Sequence, residues 1–293
     1  MDTGVALDRR VKLAVRNVSK TYGPVTALAG TSLDMAEGEF LTLLGPSGSG
    51  KTTLLMLIAG LVQPSGGEIW IDGKLATFAE PEKRDIGVVF QNYALFPHLT
   101  IAENIAFPLH MRRMKAETIK QEVARVLDIV QLPHVAGRLP RELSGGQQQR
   151  IALARCIVYH PSIILMDEPL GALDRKLRDR MQIEIKSLHR RLGITILYVT
   201  HDQDEAMAMS DRICLMNQGW IEQIGSPDEL YFQPATRFAA DFLGESNFIR
   251  SLSGPTGTVV VRPENVRLLA PGQFADYVLE GTMREVMLVG GVS

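Results

Sequence analysis

Gly45-Pro46-Ser47-Gly48-Ser49-Gly50-Lys51-Thr52-Thr53 is the stretch that decides the fold, because it matches the pattern G-x-x-x-x-G-K-[ST] at every fixed position. The apolar residues 39–44 before it predict a buried strand, and residues 52–59 after it predict a helix. Glycines let consecutive backbone N–H groups turn inward, and the first turn of the helix adds its positive dipole end. Strand, loop and helix therefore predict an α/β fold that holds an anion at residues 45–53.

Two residues at the end of this loop predict which anion is bound. Lys51 is positioned to reach β- and γ-phosphates, and the Thr52 hydroxyl is positioned to coordinate Mg²⁺. A flexible Gly/Ser turn is the alternative, but such a turn does not require Lys and Thr directly after its last glycine. The loop thus predicts a protein that binds a nucleoside triphosphate.

Composition places few limits on the partners of the chain. Its 293 residues are enough for one large or two smaller domains with a substantial core. The formal net charge of −2 and the pI of about 6.3 give no general attraction to nucleic acid or to anionic membranes. Cys156 and Cys214 lie in apolar runs, which favours packed thiols in a reducing compartment over a disulfide. Without a signal-peptide pattern or an apolar run of ~18 residues, we expect a soluble cytoplasmic protein that meets a membrane only through a partner.

Hydrophobic periodicity divides the first half of the chain into a β-rich part, which we expect to be an antiparallel β subdomain, and a helical part. Residues 11–15 alternate like a strand with one exposed face, and residues 20–24 are predicted to form a turn. From Gln91 to about Tyr159 the periodicity is helical, and Thr100 with Glu103 fits a capping box. An insertion of this length predicts a helical subdomain at about residues 92–160.

The second half begins with buried strands and ends in a different composition. Residues 162–166 and 195–200 are apolar runs typical of central parallel strands, and residues 212–224 predict a hairpin. After Phe242 the chain becomes a series of short β-type pieces with Gly and Pro, namely residues 258–261, 266–268, 277–280 and 283–289. This pattern predicts a domain of residues 1–243 and a second, small, all-β unit of residues 244–293 that is OB-like and incomplete.

Further motifs accompany the loop in a fixed order. Ser144-Gly145-Gly146-Gln147 precedes a predicted helix and so forms a second anion site. Asp167 and Glu168 end one buried strand, His201 ends another, and Asp174 follows Gly171 between them. With these motifs in register, the chain resembles the nucleotide-binding subunit of ABC (ATP-binding cassette) transporters over roughly residues 11–245.

The resemblance implies a role for each of these side chains in binding and hydrolysing ATP. Asp167, Thr52 and Gln91 are expected to surround Mg²⁺, with Glu168 as the general base for the attacking water. His201 is expected to contact the γ-phosphate beside Lys51. From the residues alone, alternatives remain: adjacent acids can cap the next turn, and a Gln or His at a strand end is often structural.

The same resemblance implies that two copies of the chain share two ATP molecules. Ser144, Gly145, Gly146 and Gln147 of one copy are expected to bind the γ-phosphate held by the loop of the other. Asp174 is expected at that interface, and Gly171 stands where the family often has Ser. Tyr22 is placed to stack on adenine, although a turn aromatic that packs locally is the alternative.

An ATPase of this kind works with membrane partners, and the resemblance implies which. Residues 91–100 are apolar and aromatic, which predicts a groove for a short helix of a transmembrane permease, or else packing of the insertion. Residues 261–266 and 281–286 look like the TOBE domain of importer ATPases, and residues 91–98 are most similar to the spermidine/putrescine branch. We expect a homodimer peripheral to the cytoplasmic face of the inner membrane, with permease subunits and a solute-binding protein and without nucleic acid.

Two rival functions fit part of the pattern. A soluble ABC ATPase acting in DNA repair or translation would carry a long coiled coil, a zinc module or a second cassette, and the sequence has none of these patterns. A small-molecule kinase would share the loop but has no use for residues 143–147 or for His201. The sequence therefore favours an ATPase that drives import.

Overall fold

The structure, a computed structural model, describes residues 10–250, 258–267 and 269. The chain divides into two units, Met1–Gly244 and Glu245–Ser293, which are described separately. The strands predicted at residues 277–280 and 283–289, and the TOBE-like residues 281–286, lie outside the described residues.

The described residues form strands β1 Val11–Tyr22, β2 Val25–Ala36, β3 Phe40–Leu44, β4 Gly66–Ile71, β5 Lys74–Leu75, β6 Ile86–Val89, β7 Ile163–Asp167, β8 Ile196–Thr200, β9 Arg212–Asn217, β10 Trp220–Gly225, β11 Asn247–Arg250 and β12 Thr258–Val261. Their helices are α1 Lys51–Ala59, α2 Ile101–Met111, α3 Ala116–Ile129, α4 Gly145–Ile157, α5 Arg175–Leu192, α6 Gln203–Met209, α7 Pro227–Phe232 and α8 Arg237–Phe242. The predicted capping box of Thr100 and Glu103 is confirmed at the start of α2, and the predicted hairpin is confirmed as β9 and β10.

The larger sheet has six strands in the order β10-β9-β3-β8-β7-β6. Only β10 is antiparallel to its neighbour, and every other pair in this sheet is parallel. All residues of β3 and β8 are buried, as is typical of parallel strands covered on both faces. Leu44 of β3 pairs with Thr200 of β8, and Val199 of β8 pairs with Asp167 of β7. The chain therefore leaves β3, β7 and β8 at neighbouring positions on one edge of the sheet.

The second sheet is antiparallel, with four strands in the order β2-β1-β4-β5. Residues 11–15 begin β1, which confirms the predicted strand, but the predicted alternation is wrong, because residues 13–15 are all buried. Residues 13–15 pair in regular register with both β2 and β4, and the small Ala14 lies between its cross-strand partners Asp34 and Trp70, whose larger side chains flank it. The predicted turn at residues 20–24 is shorter than expected, since β1 continues through Tyr22 and only residues 23–24 form the turn. These sheets and their helices confirm the predicted α/β core with an antiparallel β part and a helical part.

Two buried clusters cover the opposite faces of the six-stranded sheet. One joins α2, α3, α4 and α5 to side chains such as Ile164 and Tyr198, so the helical segment shares its core with the sheet. The other joins α1 and the antiparallel sheet to Leu165 and Leu197 on the reverse face. Cys156 and Cys214 are buried and free, which confirms the prediction of packed thiols.

The second unit shows one hairpin among its described residues. Strand β11 pairs antiparallel with β12, and the prediction of a strand at residues 258–261 is thereby confirmed. The predicted strand at residues 266–268 is wrong for its described part, because residues 266–267 lie outside any strand. Pro263 begins a 3₁₀ turn, and its carbonyl accepts the Val266 N–H at 3.0 Å, which removes that donor from strand pairing.

A buried guanidinium ties the end of α1 to the chain before β6. Arg84 is 3% exposed, and it donates to the carbonyls of Leu57 and Ile58 at 2.8 Å, Thr77 at 2.9 Å and Ala79 at 3.0 Å. We expect Arg84→Met to lower the free energy of unfolding by about 3 kcal/mol, because buried carbonyls lose charge-assisted donors. Urea unfolding of the purified chain measures this change.

The matched control is Arg16→Met, which removes an exposed ion pair with Asp34. Exposed pairs contribute little, so this variant should stay within about 1 kcal/mol of the parent protein. Equal small effects of the two substitutions would contradict the structural role of Arg84.

Candidate ATP site at the carboxyl edge of the sheet

The glycine loop after β3 has no room for side chains at its ends. A Cβ added to Gly45, whose φ is 155°, would lie 2.1 Å from the Met216 carbonyl oxygen. A Cβ on Gly50, whose φ is 98°, would lie 2.8 Å from the Ala27 carbonyl oxygen. Gly50 is also the N-cap of α1 and provides no side-chain cap. The first N–H groups of α1 are therefore available to an anionic ligand.

Lys51 places its ammonium group inside this loop. Its Nζ donates to the Gly45 carbonyl at 2.8 Å and the Pro46 carbonyl at 2.9 Å, and the residue is 4% exposed. Burial lowers the pKa of Lys51, while the nearby carboxylates of Glu168 and Asp167 act to raise it. The ammonium is thus held at the loop by main-chain acceptors and faces two carboxylates.

Thr52 and Asp167 bring two oxygen ligands together at the end of the loop. The Thr52 Oγ1 donates to Asp167 Oδ1 at 3.1 Å. Burial raises the pKa of Asp167, the hydrogen bond from Thr52 lowers it, and the charge of Glu168 raises it. The described residues contain no group of three or more His, Cys, Asp and Glu side chains that could hold a metal alone. One hydroxyl and one carboxylate fit Mg²⁺, which usually completes its shell with substrate phosphates and waters.

Glu168 and His201 are in contact where β7 and β8 end. His201 Nδ1 lies 3.2 Å from Glu168 Oε2. Glu168 has a φ of 44°, its N–H donates to the Val199 carbonyl at 3.0 Å, and its carbonyl accepts the Gly171 N–H at 3.1 Å. A left-handed conformation is unfavourable for Glu, and these bonds on both sides maintain it. The main chain thereby orients the carboxylate towards His201.

The side chain of Gln91 lies near the segment that follows Glu168 at this edge of the sheet. A Cβ added to Gly171 would lie 3.4 Å from both Gln91 Nε2 and the Glu168 carbonyl oxygen. Gln91 itself is exposed. Position 171 therefore borders two predicted site residues.

A buried network behind His201 was not predicted from the sequence. Glu205 is 2% exposed, and its Oε2 accepts from Tyr198 Oη and from Thr200 Oγ1, each at 2.8 Å. Arg178 donates to Asp202 Oδ2 at 3.0 Å, and its Nε lies 3.7 Å from Glu205 Oε1. Burial raises the pKa of Glu205. One sequence pattern could have indicated part of this network. Asp202-x-x-Glu205 directly after His201 is typical of a helix start, and Asp202 does cap α6.

Ser144 and Asp174 begin neighbouring helices. Ser144 and Gln147 form a capping box at α4, and Asp174 caps α5 by accepting the Leu177 N–H at 3.0 Å. A Cβ on Gly146 would lie 3.1 Å from Leu177 Cδ1, so the two helix starts are adjacent. Among the described residues, the side-chain hydrogen bonds of these caps stay within the caps and do not reach the loop at residues 45–53.

Tyr22 ends β1 with half of its surface exposed. Lys20 Nζ lies 4.9 Å from the centre of the Tyr22 ring and donates to the Gln63 carbonyl at 2.7 Å. An anchored cation therefore covers part of the ring, and the exposed remainder is accessible to a base.

The segment at residues 91–100 is partly core and partly surface. Tyr93 is buried in the cluster that joins the helices to the sheet, whereas Pro97 and His98 are exposed. The ring centres of Phe96 and Phe107 are 4.6 Å apart, and Phe107 remains exposed. In the part of the chain that the structure describes, no helix has the length and apolar character needed to cross a membrane.

Comparison with known proteins agrees with these features. The family described as "ABC transporter" matches residues 28–171. The chain is 49% identical over 281 residues to the spermidine/putrescine import ATP-binding protein PotA of Thermobifida fusca, covering 93% of this chain and 73% of the relative. It is 50% identical over 266 residues to the trehalose/maltose import ATP-binding protein MalK of Thermococcus litoralis, covering 88% and 71%.

Solved structures with the same fold include a bacterial ABC transporter cassette in dimeric form. It aligns with a TM-score of 0.65 and 36% identity, covering 73% of this chain and 98% of that one. A second structure of that cassette, a dimer in a post-hydrolysis state bound to ADP and Pi, aligns with the same scores and coverage.

Proposed function

This chain belongs to the family of ABC transporter ATP-binding proteins and hydrolyses ATP, and from that premise we propose that it energises solute import as a homodimer. The observation that carries the proposal is the arrangement of Lys51, Thr52, Asp167, Glu168 and His201 on one edge of the sheet. Thr52 contacts Asp167, His201 contacts Glu168, and Lys51 interacts electrostatically with both carboxylates, so a cation, oxygen ligands and a base lie near one another, as phosphoryl transfer requires.

In the proposed hydrolysis, Glu168 acts as the general base. Its carboxylate accepts a proton from the attacking water, whose oxygen bonds to the γ-phosphorus as the bond to the β-phosphate oxygen breaks. His201, 3.2 Å from Glu168, keeps the carboxylate oriented and contacts the γ-phosphate. Gln91, beside the Glu168 main chain, orients the water.

The phosphates are held by the loop at residues 45–53. Its inward N–H groups and the start of α1 bind the phosphate oxygens, and Lys51 places its positive charge between the β- and γ-phosphates. Thr52 and Asp167, together with Gln91, would hold Mg²⁺, and the bound ion would supply positive charge to neutralise the phosphates. Tyr22 stacks on the adenine with the face that Lys20 leaves free.

A second copy completes the site. In Ser144–Gln147 the capping box uses the N–H groups of Ser144 and Gln147, and the N–H groups of Gly145 and Gly146 in the first turn of α4 remain for an anionic ligand. In a head-to-tail dimer, Ser144, Gly145, Gly146 and Gln147 bind the γ-phosphate on the partner's loop, with Asp174 at the interface. ATP therefore closes the dimer, and hydrolysis opens it.

The proposed partners are transmembrane permease subunits served by a solute-binding protein. The exposed part of residues 91–100 receives a permease helix, which keeps this chain peripheral to the cytoplasmic face of the inner membrane. We assign residues 1–243 to the nucleotide-binding domain, with a helical subdomain at 92–160, and residues 244–293 to a TOBE-type β domain. Relatives named for spermidine/putrescine import support a polyamine as the solute.

Uptake by cells tests the proposed solute. In cells whose own copy is replaced by the Glu168→Gln variant, uptake of labelled spermidine should fall by about a hundredfold or more, while uptake of labelled maltose is unchanged. Loss of maltose uptake with normal spermidine uptake would support sugar import instead. Normal uptake of both would contradict a role in importing either solute.

A further inference from the structure

The chain turns twice through the left-handed region directly after Gln91. Tyr93 has a φ of 62° and Ala94 a φ of 45°, and neither is glycine. The Tyr93 N–H donates to the Phe90 carbonyl at 2.9 Å, and the Ala94 N–H donates to the Asn92 carbonyl at 2.7 Å. Residues with a Cβ keep this conformation in succession only where neighbouring groups determine it.

The neighbouring group is the guanidinium of Arg155 on α4. Its Nη1 donates to the Ala94 carbonyl at 2.7 Å, and its Nη2 donates to the Tyr93 carbonyl at 2.8 Å. Its Cζ also lies 5.7 Å from the centre of the Phe96 ring. The planar guanidinium reaches the two carbonyls from two different nitrogens, a fork geometry that the single ammonium nitrogen of a lysine does not have.

A second buried side chain holds the rest of the segment. Asn104 of α2 is fully buried, its Oδ1 accepts the Phe96 N–H at 2.8 Å, and its Nδ2 donates to the carbonyls of Phe96, Leu99 and Thr100 at 3.0–3.1 Å. Residues 92–100 are therefore fixed to two helices by main-chain contacts, and Arg155 provides the contacts nearest to Gln91.

We infer that Arg155 is a positioning residue for ATP hydrolysis, which joins the turn after Gln91 to the helix that begins at Ser144. The inference rests on the roles proposed above for Gln91 and Ser144. Because Arg155 binds the main chain of the turn through two hydrogen bonds, a displacement of the turn moves α4 with it, and the start of α4 moves relative to the ATP site. Through the contacts of Arg155, Gln91 and Ser144 therefore move together.

Hydrogen exchange of the full-length chain tests the contact itself. In Arg155→Met, the peptide spanning residues 91–95 should exchange about tenfold faster than in the parent, because the carbonyls of the turn lose their charge-assisted donors. The matched control is Arg150→Met on the same helix, which removes an ion pair with Glu184 and should leave this exchange unchanged. Unchanged exchange in Arg155→Met overturns the inference.

Steady-state kinetics test the effect on hydrolysis. Arg155→Met should lower kcat about tenfold with the KM for ATP within about twofold, because the phosphate loop is untouched. Arg155→Lys should behave like Arg155→Met, and Arg150→Met should keep kcat within about twofold. Equal losses of kcat in Arg150→Met and Arg155→Met would overturn the inference by showing general damage to α4.

A rescue variant separates positioning from simple loss of packing. Glycine adopts the left-handed conformation without cost, so adding Ala94→Gly to Arg155→Met should recover about threefold in kcat. A further fall in kcat would instead show that Arg155 acts only through packing, and it would overturn the inference. Gln91→Ala with parental kcat would contradict the proposed role of Gln91, while hydrogen exchange would still decide whether Arg155 holds the turn.

Discussion

Glu168→Gln should lower kcat for ATP hydrolysis by about a hundredfold to ten-thousandfold while ATP still binds, because an amide cannot accept the proton of the attacking water. The substitution keeps the size of the side chain and the hydrogen bonds of its main chain to Val199 and Gly171, so the fold should be unaffected. Since the ATP that closes the dimer is no longer consumed, the variant should sediment as a nucleotide-bound dimer in Mg²⁺ and ATP. Phosphate release and sedimentation velocity measure the two effects.

Glu117→Gln is the control for this prediction. Glu117 is exposed in the first turn of α3, away from the carboxyl edge of the sheet, and kcat should stay within about twofold of the parent value. Turnover at the parental rate in Glu168→Gln would show that another group accepts the proton.

Lys51→Ala should abolish measurable ATP binding under conditions where the parent chain is saturated. The ammonium is almost fully buried at the loop, where a positive charge interacts strongly with phosphate because little water screens it. We expect kcat/KM to fall by about a hundredfold or more, as when one preorganised donor is removed from a charged site. Titration calorimetry with ATP measures binding, and Lys74→Ala, which removes an exposed lysine of β5, should leave it unchanged.

The sequence predicted where these candidate site residues lie, because each of them ends or follows a buried strand. Leu44, Asp167 and Thr200 end three parallel strands that pair side by side, so the residues after them meet without further information. Lys51, Thr52, Asp167, Glu168 and His201 are brought together as expected.

The supporting network could not be predicted in the same way, because its members approach through tertiary packing. Arg155 contacts Ala94 and Tyr93, which lie 61 and 62 positions before it, and Arg178 of α5 lies close to Glu205 of α6. Neither pairing can be predicted from a periodic pattern in the sequence, because an arginine or glutamate on a helix is usually expected to face solvent. The errors at residues 11–15 and 266–267 have local causes: larger side chains on the paired strands flank Ala14 in β1, and a turn at Pro263 overrides strand propensity.

The central claim is that each ATP site is built from two chains, and a mixture of two inactive variants tests it most directly. Lys51→Ala disables the loop, while Ser144→Asp keeps a helix-capping side chain and places a negative charge against the γ-phosphate. Each variant alone should hydrolyse ATP at no more than about a hundredth of the parental rate. An equal mixture should recover about a quarter of the parental rate per chain. Half of the dimers are mixed, and each mixed dimer contains one complete site of its two. No recovery above the separate variants, under conditions where the mixed dimers are shown to form, would contradict a site shared between two copies.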